Sequence, residues 1–148
     1  MKKIFFLTLI LFATALISQS AKAQTEAQRI ELCTKAAGGG TIAGSYVVPL
    51  EAARPGERPP EFKQAFGLRA KNKYRITICT DEESDGEAIV RLFDEARVVG
   101  TSFDAATGRT VQSFDFDCTK TAAYVIIVSI KDGREGSAVV IVSHVRTL

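Results

Sequence analysis

An all-β fold, an antiparallel jelly-roll-like sandwich of about eight strands with one short N-terminal helix, is predicted by three features of this sequence. Short runs of alternating or continuous apolar residues recur from Thr41 to Val145. Turn-forming clusters separate them at intervals close to a strand length. Helical periodicity is confined to a single stretch at the beginning, in Ile30, Cys33 and Ala37.

The chain opens with MKKIFFLTLILFATALISQSAKAQ. Lys2 and Lys3 precede an apolar run from Ile4 to Ile17, and Ala21-Lys22-Ala23 forms an A-x-A cleavage motif. This is the pattern of a secretory signal peptide over residues 1–23, too short for a membrane span, and it leaves residues 24–148 as one domain. The leader holds three lysines and no acid. Without it, 16 of the 19 Lys and Arg remain against all 17 Asp and Glu, a formal charge of −1. The basic balance of the whole chain thus belongs to the leader, and no electrostatic footprint for nucleic acid remains.

Thr25-Glu26-Ala27-Gln28 has capping-box spacing for the helix, and Gly38-Gly39-Gly40 ends it. Strand Thr41–Leu50 follows; Pro49 places it at an edge, because proline cannot donate to a ladder. Residues 54–60 form a stiff polar loop. Phe62, Gln64, Phe66 and Leu68 then share one face of a strand, and Tyr74, Ile76 and Ile78 one face of the next. Strands 88–93, 97–103 and 109–117 come after, with Phe114 and Phe116 inward and Asp115 and Asp117 outward. The last pair, 122–130 and 137–145, flanks Asp132-Gly133 and reads as a hairpin. Both of its strands are apolar on both faces. One face must therefore meet the opposite sheet, and the other needs a cover, for which the helix near Ile30 and Leu32 is the candidate.

The runs Tyr74-Arg75-Ile76-Thr77-Ile78, Leu92-Phe93-Asp94 and Tyr124-Val125-Ile126-Ile127-Val128 resemble the strand rhythm of bacterial pre-peptidase C-terminal domains. The glycine usual before the tyrosine is replaced here by Ala122-Ala123. The resemblance implies a secreted jelly-roll sandwich that acts as an appendage or binding module beside other domains.

Candidate chemistry is sparse. Asp81, Glu83, Asp85 and Gly86 occupy the first positions of an EF-hand loop, but the position of the bidentate glutamate is Leu92 and the flanks are strands. A looser calcium set of Asp81, Glu83 and Asp85 remains, against a solvated acidic turn. His144 is the single histidine; Ser143 beside it points to the opposite strand face, which excludes a nucleophile–base pair. The glycines around Gly39 and Gly44 lack the lysine of a phosphate loop. Tryptophan is absent, and Tyr46 is the one aromatic whose facing alternation does not assign.

Three cysteines in an exported chain allow one bridge. If strands 74–79 and 111–117 pair antiparallel, Cys79 and Cys118 lie at opposite ends of the pair, too far apart to join. Cys33 can reach either. The expectation is Cys33–Cys118 with Cys79 free, against three reduced, buried thiols. In function the sequence points to a periplasmic or extracellular non-enzymatic binding or accessory module. It would have a protein or glycan partner and no cofactor apart from the calcium candidate. The alternatives are a structural envelope protein that self-associates through its extra apolar sheet face, and a small hydrolase or inhibitor.

Overall fold

The computed structural model describes residues 20–148, with side chains from residue 26 onward. Helix α1 (Ser20–Ala36) is followed by ten strand segments: β1 (Thr41–Leu50), β2 (Phe62–Leu68), β3 (Asn72–Thr80), β4 (Ala88–Asp94), β5 (Arg97–Thr101), β6 (Phe103–Asp104), β7 (Arg109–Thr110), β8 (Ser113–Cys118), β9 (Ala122–Ile130) and β10 (Gly136–Thr147). Eight of these build two four-stranded antiparallel sheets in the orders β1-β10-β3-β8 and β2-β9-β4-β5, while β6 and β7 pair separately. Apart from the adjacent pair β4 and β5, successive strands of these eight alternate between the two sheets in the jelly-roll manner. The fold class is the one predicted.

Alternation decides what lies between the sheets. Tyr74, Ile76 and Ile78 of β3 and Ala138, Val140 and Val142 of β10 face Val90 and Leu92 of β4 and Tyr124, Ile126 and Val128 of β9, all buried in one cluster. Phe62, Phe66 and Phe116 close its flanks. Tyr46 also turns inward, half-buried at 6.1 Å from the Phe62 ring, and so serves the core.

Two boundaries move for local reasons. The predicted strand 97–103 breaks at Ser102, which is buried; its Oγ accepts a hydrogen bond from the Val90 N–H at 2.9 Å. The predicted strand 109–117 breaks at Val111-Gln112, where the Gln112 carbonyl accepts the Ile78 N–H at 2.8 Å.

The predicted hairpin does not form. Asp132 and Gly133 do adopt the left-handed pair such a turn needs, with φ of 60° and 64°. Extended Arg134 then leads the chain across to the other sheet, so β9 and β10 have no common ladder. Packing explains the preference. In opposite sheets, Ile126 and Val128 can bury against Val140 and Val142 across the sandwich; as hairpin neighbours they would lie side by side in one layer.

Helix α1 starts at Ser20, before the expected cap, so Thr25 lies within it. The signal-peptide reading falls for residues 1–19 outside the described residues. The helix ends as expected: Gly38 has φ +77°, and its N–H reaches the Lys35 carbonyl at 3.1 Å. Gly40 is needed for closeness, because a Cβ there would stand 2.7 Å from the His144 carbonyl oxygen.

Ile30, Cys33 and Ala37 rest on Val47, Cys79, Val139 and Ile141. The helix therefore covers the outer face of β10, as anticipated for one of the two terminal strands. Leu32, named as a packing residue, instead stays 65% exposed. It is one residue before Cys33, about 100° around the helix from the face that docks.

Candidate binding surface

The covalent anchor of the helix corrects the cysteine expectation. Cys33 is bonded to Cys79, with Cα atoms 5.8 Å apart, and Cys118 is free and buried. Strands β3 and β8 do pair antiparallel, with Asn72 opposite Cys118, so Cys79 and Cys118 are separated as argued. The error lay in the pleat. Cys79 stands opposite Val139 on the outer face under the helix. Cys118 is in step with Phe114 and Phe116 and points between the sheets, on the side the helix never reaches.

The Cys118 thiol lies 3.2 Å from the Lys120 carbonyl and 3.7 Å from the Tyr124 hydroxyl, which itself donates to the Lys120 carbonyl at 2.9 Å. Burial, and then the neighbouring Cys118, push the Tyr124 phenol up to about 12. The neutral phenol is thus favoured by folding. Its contribution is complete below the ordinary phenol value of about 10 and is lost as pH rises through the folded value. Tyr124→Phe should cost about 1 kcal/mol at neutral pH through the lost hydrogen bond, with a flatter alkaline stability profile, as urea melts across pH would register.

The acidic turn is tied into the surrounding structure by side-chain bonds. Asp81 pairs with Arg29 of α1 at 3.1 Å, and its other oxygen accepts the Glu83 N–H at 3.4 Å. Ser84 Oγ accepts the Ser137 N–H at 2.8 Å. Asp81, Glu83 and Asp85 border an open cavity of about 580 Å³ with Glu51 and Glu135. Among the described residues, no three His, Cys, Asp or Glu side chains converge in metal-ligand geometry. Millimolar calcium is expected to move the melting temperature by less than about 2 °C, because a site no tighter than millimolar stabilises by only a few tenths of a kcal/mol. A larger shift, lost on D81A/D85A, would overturn this.

His144 lies next to Tyr74 across the ladder, and its Nε2 is 2.8 Å from Asn72 Oδ1. Ser143, on the other face, is buried, with its Oγ 3.4 Å from the Arg75 carbonyl. The two side chains are held apart, each with its own partner.

The two outer sheet faces differ in a way the sequence did not separate. That of β1-β10-β3-β8 is covered by the helix. That of β2-β9-β4-β5 is met only at one end, where Ile89 is buried beside Pro59, Phe103 and Lys131; no described element lies over the rest. Along it run Val125 and Ile127 of β9, Phe93 of β4 and Val98 of β5, the last 46% exposed. Arg91 lies over the Phe93 ring at 5.7 Å and bonds Glu61 at 2.7 Å. Glu61 is shared with Lys63 at 3.5 Å, which leaves this rim with two cations to one carboxylate.

No protein-family model matches this sequence, and no curated protein matches it. Solved structures do. The pre-peptidase C-terminal domain of a collagenase from Bacillus anthracis is similar at 13% identity and a TM-score of 0.51, over 71% of this chain and 91% of that one. PliG, a periplasmic inhibitor of g-type lysozyme from Aeromonas hydrophila, aligns at 12% identity and a TM-score of 0.48, over 72% and 89%. At such identities the first likeness establishes a shared sandwich fold.

Proposed function

We propose that this protein is an exported, non-catalytic binding module whose ligand is another protein, held on the outer face of the β2-β9-β4-β5 sheet. The observation that carries the reading is the inequality of the two faces. One is covered over Val47, Val139 and Ile141 by a helix bonded in place through Cys33–Cys79, while the other leaves Val125, Ile127 and Phe93 half-buried and Val98 exposed. Export is supported by the disulfide and by the leader-like N-terminus.

The chemistry of the open face favours a protein over a glycan. Sugar-binding faces stack rings on exposed Tyr or Trp; here Trp is absent, and Tyr46, Tyr74 and Tyr124 pack against the core. An aliphatic centre with Lys63 and Arg91 at its rim fits a partner surface with an apolar centre and an acidic border.

A photoreactive residue at Ala123, exposed on this face, tests the reading in the producing cell. The expected result is one discrete adduct with another protein, abolished by I127K in a variant whose melting temperature is unchanged, and absent when the probe sits at Lys35 of the helix. An adduct solely of twice the chain mass would favour the self-associating envelope protein instead. Equal labelling from Ala123 and Lys35, or none from either, would overturn the proposal.

A further inference from the structure

Each sheet has two edge strands, and three of the four edges are guarded in ways that natural sandwiches use against strand addition. Strand β1 carries Pro49 and an irregularity between Ile42 and Gly44. Strand β5 is five residues long and is irregular where it pairs with Leu92 and Phe93. Strand β8 sets Asp115 and Asp117 on its outer face, and its Phe114 ring packs so close to Gly100 of β5 that a side chain at 100 would overlap it.

Strand β2 is different. Its seven residues hold no proline, pair with β9 without a register shift, and carry one charge, Lys63. Its outward residues Lys63, Ala65 and Gly67 are exposed, and a Cβ at Gly67 would meet nothing within 4 Å. Among the described residues, no backbone group outside β9 bonds to β2; the Gln64 amide covers the Ala65 carbonyl at 2.8 Å, a local bond it can release. A straight edge with free donors and acceptors is completed by one kind of occupant, an extended strand.

We infer that the occupant is the β2 strand of a second copy, paired antiparallel about a twofold axis through Ala65, so that two four-stranded sheets join into one of eight strands. The sequence of β2 suits itself in this register. Ala65 meets Ala65, Lys63 meets Gly67, Gln64 meets Phe66 and Phe62 meets Leu68, so all seven residues pair and the lysines stay apart. Ala65 and Gly67 are small enough for two flat edges to approach. The closed twofold also uses up the edge, which otherwise would continue to add chains. The pairing leaves the Val125–Ile127 strip open, so it does not depend on the protein-binding proposal, and either can fail alone.

Residues opposite each other in antiparallel strands have Cα atoms about 4.5–5.5 Å apart, within disulfide reach. Under mild oxidation A65C should give a covalent dimer in high yield. K63C and G67C should each stay monomeric alone and cross-link when mixed. Light scattering of the unmodified protein should give twice the chain mass, and A65K, which sets two lysines face to face, should give a folded monomer, with a melting temperature that no longer depends on protein concentration. A monomer for the unmodified protein at every concentration tested would overturn the inference, as would K63C alone cross-linking as well as A65C.

Discussion

Replacing both bridging cysteines, as C33A/C79A, is expected to lower stability by about 2–4 kcal/mol, a fall in melting temperature of roughly 10 °C for a domain of this size. The bridge closes a separation of 46 residues, which in the chain-entropy view places its effect near the upper end of that range. The helix has little else to hold it. Ile30, Cys33 and Ala37 supply its apolar contacts, and Arg29 adds a partly exposed pair with Asp81 and a 3.0 Å bond to Ser137 Oγ. Its release would uncover Val47, Val139 and Ile141, so the variant should bind a hydrophobic dye before the sandwich itself melts. C118A should cost far less, by loss of a small buried side chain. If C118A destabilised the protein as much as the double variant, the assignment of the bridge would be wrong.

Much of this was legible in the sequence, and the failures are instructive because the needed signal was present. Alternation placed Phe62, Tyr74, Ile76 and Phe114 inward, where they are. The same alternation sets Cys79 out of step with Tyr74, Ile76 and Ile78, and Cys118 in step with Phe114 and Phe116. Followed to the cysteines, it assigns the bridge to the outer face and excludes Cys118. The Asp132-Gly133 turn was read correctly as a local conformation and wrongly as a hairpin. Turn residues fix a few dihedral angles, whereas the choice of ladder partner rests on burial summed over whole strands. Leu32 illustrates the complementary limit: a short helix with three docking residues leaves most of its circumference in water. The open face was beyond sequence reading, since a strand apolar on both sides says that something should cover it and does not say which strand the helix will choose. The edge at β2 likewise becomes visible only once strand order is known.

Neighbouring residues on β9 should respond to the same substitution to very different degrees. Ile126 is fully buried at the centre of the sandwich, between Gln64 and Leu92 in its own sheet and beneath the β3–β10 layer. Ile126→Ala removes three buried heavy atoms and leaves a cavity that rigid flanking strands cannot close. A loss of about 3–4 kcal/mol is expected, enough to lower the melting temperature by 10 °C or more. Ile127 faces the opposite way, half-buried between Lys63 and Arg91 on the open face. Ile127→Ala exposes neighbours that water already reaches, so its cost should stay below about 1 kcal/mol. Paired urea melts read the contrast directly. A low cost at 127 would mean that the fold does not need this apolar side chain for its own stability, so its presence at a wet position is free to serve a partner. A cost at 127 comparable to that at 126 would show that the strip is a second core within the monomer, and would remove the reason for assigning it to binding.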